Sequence, residues 1–172
     1  MKYLFLYTLV SFYVAFIAIG PAEAQSNEKS LDHPRGVIVK ADIPEMRKRI
    51  LREPYQTAFK RLMHTGRYFD TIPSPRMSVY EVGSAARIMS YLYILRGNES
   101  YASKAYQRVK YLADSTETYN DPYSKGLTRA SLLKSIAISY DLCYDAWSED
   151  KRKKANRAIA RGVRSLSSNM GY

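Results

Sequence analysis

The chain holds a single cysteine, Cys143, so no disulfide can form within it and its stability must come from packing. Cys143 lies in an apolar helical run and reads as a buried small hydrophobe rather than a nucleophile. Its two histidines, His33 and His64, stand far apart, and no Cys/His group has the spacing of metal ligands. Neither zinc nor any other cofactor is expected. Nowhere does period-two alternation run long enough to suggest a sheet. Acidic residues are in deficit: 16 Asp and Glu stand against 27 Lys and Arg, a net charge of +11.

Long apolar runs are scarce outside the first residues. Met1-Lys2 precedes an apolar stretch from Tyr3 to Gly20, followed by Pro21-Ala22-Glu23-Ala24-Gln25. A positive start, an apolar middle and a small-x-small site are the three parts of a secretory signal peptide. An uncleaved anchor is the rival, since the run is close to the shortest spanning length of about 17 residues. The Pro and Ala-Glu-Ala flank favours cleavage, and no membrane insertion is expected afterwards. No cysteine directly follows the apolar run, so a lipoprotein anchor is not encoded. The expected division is a signal peptide over 1–24, an extended leader over 25–40 and a helical domain over 41–172. Export to the periplasm or beyond changes what the charge means. Nucleic acid is the usual partner of so basic a chain, but export directs it towards acidic polysaccharide, anionic lipid or cell-wall polymers. The plainer alternative is that many of these cations are the solvated faces of helices.

Gln25 to Leu31 is polar, and His33 to Val39 reads as a short extended or turn segment. Asp42 with Glu45 three residues on resembles a capping box, with Pro44 tolerated in the first turn. Ile43, Met46, Ile50 and Leu51 then share a face. Pro54 opens a second helix with Tyr55, Phe59, Leu62 and Met63 inward and Gly66 as its stop. Arg67 to Arg76 reads as a loop. Ser78 and Glu81 form another box, starting a helix through Val82, Ala85, Ile88, Met89, Leu92 and Leu95 that ends at Arg96-Gly97-Asn98. The next helix covers Glu99 to Asp114, with Tyr101, Ala105, Val109 and Leu112 inward. A polar loop from Ser115 to Gly126 leads to an apolar helix over Leu127 to Trp147. Ser148 caps the last helix, whose expected inner stripe is Ala155, Ile159, Val163 and Leu166. The pattern is all-α, in helical hairpins packed side by side. No consistent repeat of about 34 residues marks a tetratricopeptide array.

Three segments carry a family likeness. His33-Pro34-Arg35-Gly36-Val37-Ile38-Val39 runs into Asp42-Ile43-Pro44-Glu45-Met46-Arg47-Lys48-Arg49-Ile50. Tyr91-Leu92-Tyr93-Ile94-Leu95-Arg96-Gly97-Asn98-Glu99-Ser100-Tyr101-Ala102-Ser103-Lys104-Ala105 follows, and then Ser139-Tyr140-Asp141-Leu142-Cys143-Tyr144-Asp145-Ala146-Trp147-Ser148-Glu149-Asp150. In this order they resemble the N-terminal helical domain of heparinase II/III-like and alginate-lyase-like polysaccharide lyases. The resemblance implies part of an incomplete α/α toroid, normally followed by an antiparallel β-sheet domain. It also implies β-elimination on uronate-containing polysaccharide. A base removes the proton α to the carboxylate, an acid protonates the leaving oxygen, and a neutralising group makes that proton acidic. In the family Asn, His, Tyr and Arg fill those roles, further along the toroid and in the β domain, and no residue here matches them. The chain reads as a truncated member, inactive alone.

Lys125 and Arg129, beside the polar loop, are the residues expected to meet a substrate carboxylate, Arg bidentately. Tyr68, Tyr119 and Tyr123, in expected loops, offer faces for stacking on sugar rings. Solvated charge and loop packing are the plainer roles. Tyr55, Tyr101, Tyr140 and Tyr144 read as core. Asp141 and Asp145 read as hydrogen-bond or salt-bridge partners, with Lys151 or Arg152 the nearest cations in sequence. Lys151-Arg152-Lys153-Lys154 is basic enough to hold anions, though such a run is most often a wet helix face. A non-catalytic exported helical module that binds acidic glycan or a protein is the second reading.

Overall fold

A computed structural model of the chain describes residues 32–115 and 126–169. The expected signal peptide, the polar leader up to Leu31 and most of the 115–126 loop lie outside the described residues. Six α-helices occur among those described, with no strand: α1 (Ile43–Arg49), α2 (Tyr55–Thr71), α3 (Val79–Arg96), α4 (Glu99–Asp114), α5 (Leu127–Leu142) and α6 (Glu149–Asn169). One-turn 3-10 helices at Lys40–Asp42, Ser74–Arg76 and Tyr144–Ala146 sit between them.

Local signals set some of these boundaries. Ser78 accepts from the Glu81 amide while the Glu81 carboxylate accepts from the Ser78 amide, so the box opening α3 is formed. Gly97, at φ 69°, closes α3 in the left-handed region that glycine occupies without a Cβ penalty. Asn98 then caps α4 through the Ser100 amide.

Other local signals were overridden, by an adjoining turn or by tertiary contacts. The box expected at Asp42 does not form: Asp42 is already in a helical conformation within the 3-10 turn and makes no cap bond. Glu45 pairs instead with Arg49 at 3.1 Å. Gly66 does not stop α2, which continues to Thr71. A Cβ at Gly66 would sit 2.5 Å from Leu92 Cδ1, so glycine there lets α2 approach α3. Tyr68 is consequently helical, not in a loop. Tyr55 and Leu51, expected on inner faces, are 51% and 70% exposed.

The helix expected to reach Trp147 ends at Leu142. The chain turns there, and Trp147 Nε1 donates to the Ala102 carbonyl of α4 at 2.9 Å. The inner stripe of α6 is also rotated. Ala155, Ala158 and Gly162 are buried, whereas Val163 is 54% exposed. A Cβ at Gly162 would collide with Leu133, so the smallest residues of α6 face the closest approach.

The main core joins Val82, Ala85, Ala86, Met89 and Leu92 of α3 to Ala105, Val109 and Leu112 of α4, Leu132 and Ile136 of α5, and Ala155 and Ala158 of α6. α3 packs on α4 and on α5, α6 packs on α5 and on α4, and α1 and α2 pack on α3. Two hairpins, α3–α4 and α5–α6, therefore lie side by side. No helix among the described residues is long and apolar enough to cross a membrane.

Candidate functional site

The densest meeting of polar side chains lies where residues 32–39, an N-terminal strap, reach the C-terminal end of α5. Asp141 organises it. Its carboxylate accepts from His33 Nδ1 at 2.6 Å, from the Gly36 amide at 2.9 Å and from the Arg35 amide at 3.2 Å. The His33 and Asp141 side chains are only 12% and 16% exposed. The imidazole stacks on Tyr144, with centroids 4.0 Å apart, and meets the edge of Tyr140. Arg152 also packs on Tyr144, its guanidinium carbon 4.5 Å from that ring's centroid. Lys40 pairs with Asp145 at 3.0 Å. Asp141 and Asp145 thus act as hydrogen-bond and salt-bridge partners, as expected, but towards the strap rather than towards Lys151 or Arg152.

Beneath this clasp is a second, smaller core of Ile38, Ile94 and Leu142, with Ile43, Met46, Tyr91, Tyr93 and Ile138 packed around it. Arg47 Nε also donates to the Ile94 carbonyl at 2.9 Å. The three segments that carry the family likeness therefore converge on one end of the fold.

A His–carboxylate pair beside tyrosines and arginines has the residue types of proton-transfer chemistry, but its surroundings are those of a joint. The neighbouring cavity, bounded by His33, Lys40, Arg47, Tyr93 and Asp145, is about 140 Å3. Ligand pockets run to several hundred Å3, and a sugar ring with its neighbours would not fit. Burial pushes the Tyr93 and Tyr140 hydroxyls above the ordinary tyrosine value, which opposes a tyrosinate base. Burial likewise pushes the Cys143 thiol up to about 12, against a weaker pull from its hydrogen bond with Ser90. That leaves it inert as a nucleophile. No three His, Cys, Asp or Glu residues among those described are grouped to hold a metal.

Of the residues expected to touch a substrate, Tyr119, Tyr123 and Lys125 lie outside the described residues. Tyr68, 55% exposed, stands on the last turns of α2 beside Phe69. Arg129 is 5% exposed on α5. Its guanidinium donates to the Ser165 carbonyl and hydroxyl of α6 at 3.1 and 2.8 Å. Arg129 and Tyr68 are on helices that do not pack on each other, so the structure does not bring these two into one site. Sequence reasoning missed Arg108, a buried guanidinium that donates to the Phe69 and Ile72 carbonyls and to Ser74 Oγ at 2.7–2.8 Å. Its position between inward Ala105 and Val109 is the one signal that could have found it.

Comparison of the chain with family models, curated proteins and solved structures finds no match to any of them.

Proposed function

We propose that this chain is the N-terminal helical portion of an exported polysaccharide lyase that acts on uronate-containing polysaccharide by β-elimination. It supplies part of the cleft wall and is inactive alone. The observation that supports this most is the convergence of the three family-like segments on a single clasp and minor core. Segments retained only by chance similarity have no reason to meet. The paired hairpins are also compatible with an α/α toroid, with α3 beside α5 as one layer and α4 beside α6 as the other. The leading apolar run and Ala22-Glu23-Ala24 site support export.

The family chemistry needs a base, an acid and a group that neutralises the carboxylate. Among the described residues the one histidine–carboxylate pair is committed to the clasp. The proposal accordingly gives the clasp a structural role and assigns no catalytic residue among those described. Incubation of the isolated chain with alginate, heparin and chondroitin is expected to give no unsaturated-uronate absorbance, and robust turnover would overturn the inactive-alone part. Sequencing the frame beyond codon 172 tests the rest. A continuing frame with an Asn/His segment and a Tyr-bearing β domain is expected, and a genuine stop would count against it.

The second reading, a non-catalytic exported module binding acidic glycan, is favoured by the net charge of +11. It expects salt-sensitive capture on acidic polysaccharide with no product formed.

A further inference from the structure

A second cavity lies away from the clasp. It is an open groove of about 560 Å3 between the C-terminal end of α4 and one flank of α6. Because Ala155, Ala158 and Gly162 turn inward, α6 sets Lys154, Arg157, Arg161 and Arg164 along that flank. Their spacing of three, four and three residues keeps them within about 80° of one another over about 15 Å of helix. Among the described residues one carboxylate, Asp114, faces these four cations.

The wall of the groove fixes part of this array. Lys154 pairs with Asp114 at 3.0 Å, and Arg161 donates to the Ala113 carbonyl. The end of α4 carries partial negative charge on its last carbonyls, which holds cations there. Arg157 and Arg164 are exposed, and neither has a carboxylate partner among the described residues. The arrangement is thus two anchored cations alternating with two that still have their full donor capacity.

We infer that this α4–α6 groove binds an acidic polysaccharide chain, whose carboxylates lie along Arg157, Arg161 and Arg164. The choice of polymer rests on the proposed exported, polysaccharide-directed function; the groove itself rests on its geometry and charge. The axial steps of roughly 4.5–6 Å between successive cations are about the length of one sugar ring, and the guanidinium fork suits a carboxylate. A flat bilayer does not enter a groove, and Val163, the exposed apolar residue of α6, lies on the opposite side of the helix from Lys154. Single-stranded nucleic acid is held largely by stacking on aromatic rings, and none of the described residues lining the groove is aromatic.

The test is binding of the full chain to polygalacturonate, followed by calorimetry at low and raised salt. The groove variant is Arg157→Glu/Arg164→Glu. The control is Lys60→Glu/Arg61→Glu on α2, which changes net charge equally on an exposed face elsewhere. Helical circular dichroism and Tm establish that each is folded, and Arg157→Gln/Arg164→Gln provides a gentler second variant. The groove substitutions are expected to weaken binding about tenfold or more, and the control less than about threefold. Equal weakening by both, or undiminished binding by the groove variants, overturns the groove while leaving the glycan-binding reading intact. Absence of polygalacturonate binding by the wild-type chain at low salt overturns both. Polyuridylate is the comparison polymer: tighter binding to it at equal salt, lost in the groove variant, overturns the choice of polysaccharide.

Discussion

Replacing Asp141 by alanine should release the N-terminal strap without unfolding the helical body. The carboxylate accepts three separate donors from the strap: His33 Nδ1 and the amides of Arg35 and Gly36. A hydrogen bond to a charged group contributes about 1.5–3 kcal/mol and a neutral one about 1 kcal/mol. The two amides belong to exposed residues and can turn to water, so most of the cost falls on the buried imidazole. A net loss of about 2–3 kcal/mol follows. That loss is local, because among the described residues the strap's other ties are the His33–Tyr144 stack, the Lys40 amide's hydrogen bond to Pro34, buried Ile38 and the flanking Lys40–Asp145 pair. Ile38 contributes on the order of 2 kcal/mol through burial, and the exposed Lys40–Asp145 pair adds little in solvent. Once these are overcome, residues 32–39 detach and the two hairpins remain. Hydrogen exchange with mass spectrometry is the assay. Peptides spanning residues 34–40, whose Lys40 amide bonds the Pro34 carbonyl, should exchange about 30- to 100-fold faster. Peptides from α3 and α5 should change little, and Tm should fall by only a few degrees. Unchanged exchange in the strap would show that Asp141 does not hold it. A global rise in exchange would show instead that the clasp belongs to the main cooperative unit.

Arg108→Met should cost about 3 kcal/mol and lower Tm by roughly 10 °C, because the Phe69 and Ile72 carbonyls lose their donor; thermal unfolding by circular dichroism measures it. Gly66→Val should destabilise by about 1–3 kcal/mol, since its Cβ would press on Leu92, as read from the denaturant midpoint. Cys143, its thiol pushed up to about 12, should resist iodoacetamide at pH 8 in the native protein and react fully in guanidinium. Hydrogen bonds from Ser78 hold the Glu81 carboxyl below its ordinary 4.5. Its contribution is therefore present above the unfolded value and lost as pH falls through the folded one. Glu81→Gln should accordingly flatten the decline of stability just below pH 4.5, measured by Tm against pH.

What could be read from the sequence follows the range of the forces involved. The start of α3 was legible because Ser78 and Glu81 complete each other within a single turn, and its end because Gly97 alone satisfies the left-handed cap. Gly66 carries the same local signal but is buried against Leu92 on another helix, and that contact decides its role. Asp42 and Glu45 had the right spacing, yet the preceding 3-10 turn withdrew Asp42 from the capping conformation. Trp147 looked like the continuation of an apolar helix because its carbonyl partner, Ala102, lies 45 residues away. The same limit applies to the sites. Asp141 was legible as a hydrogen-bonding carboxylate, but not that its partner is His33, 108 positions earlier. Arg129 had a plausible charge and position for substrate, while its bonds to Ser165 depend on how α6 packs. The basic run after Ser148 was visible. Its organisation into a groove was not, because that required the rotation of α6 towards Ala158 and Gly162.

The two proposals made for this chain stand on different residues. The likeness to polysaccharide lyases is carried by segments that end at Asp150, and in the fold those residues hold the strap, the α3–α4 turn and the end of α5 together. Their contacts in the described structure are structural, so they bear on the architecture. The groove cations, Lys154 to Arg164, follow those segments, so the geometry and charge of the groove do not depend on them, while the choice of polymer does. A chain that shared only the fold would need the clasp but not Arg157 and Arg164 set along one flank with no carboxylate partner among the described residues, since exposed cations without partners add little to stability. If Arg157 and Arg164 can be reversed with no loss of polyanion binding, the array is a solvated helix face. If the clasp fails to hold the strap, the convergence of the three segments loses its meaning. Either can fail without the other.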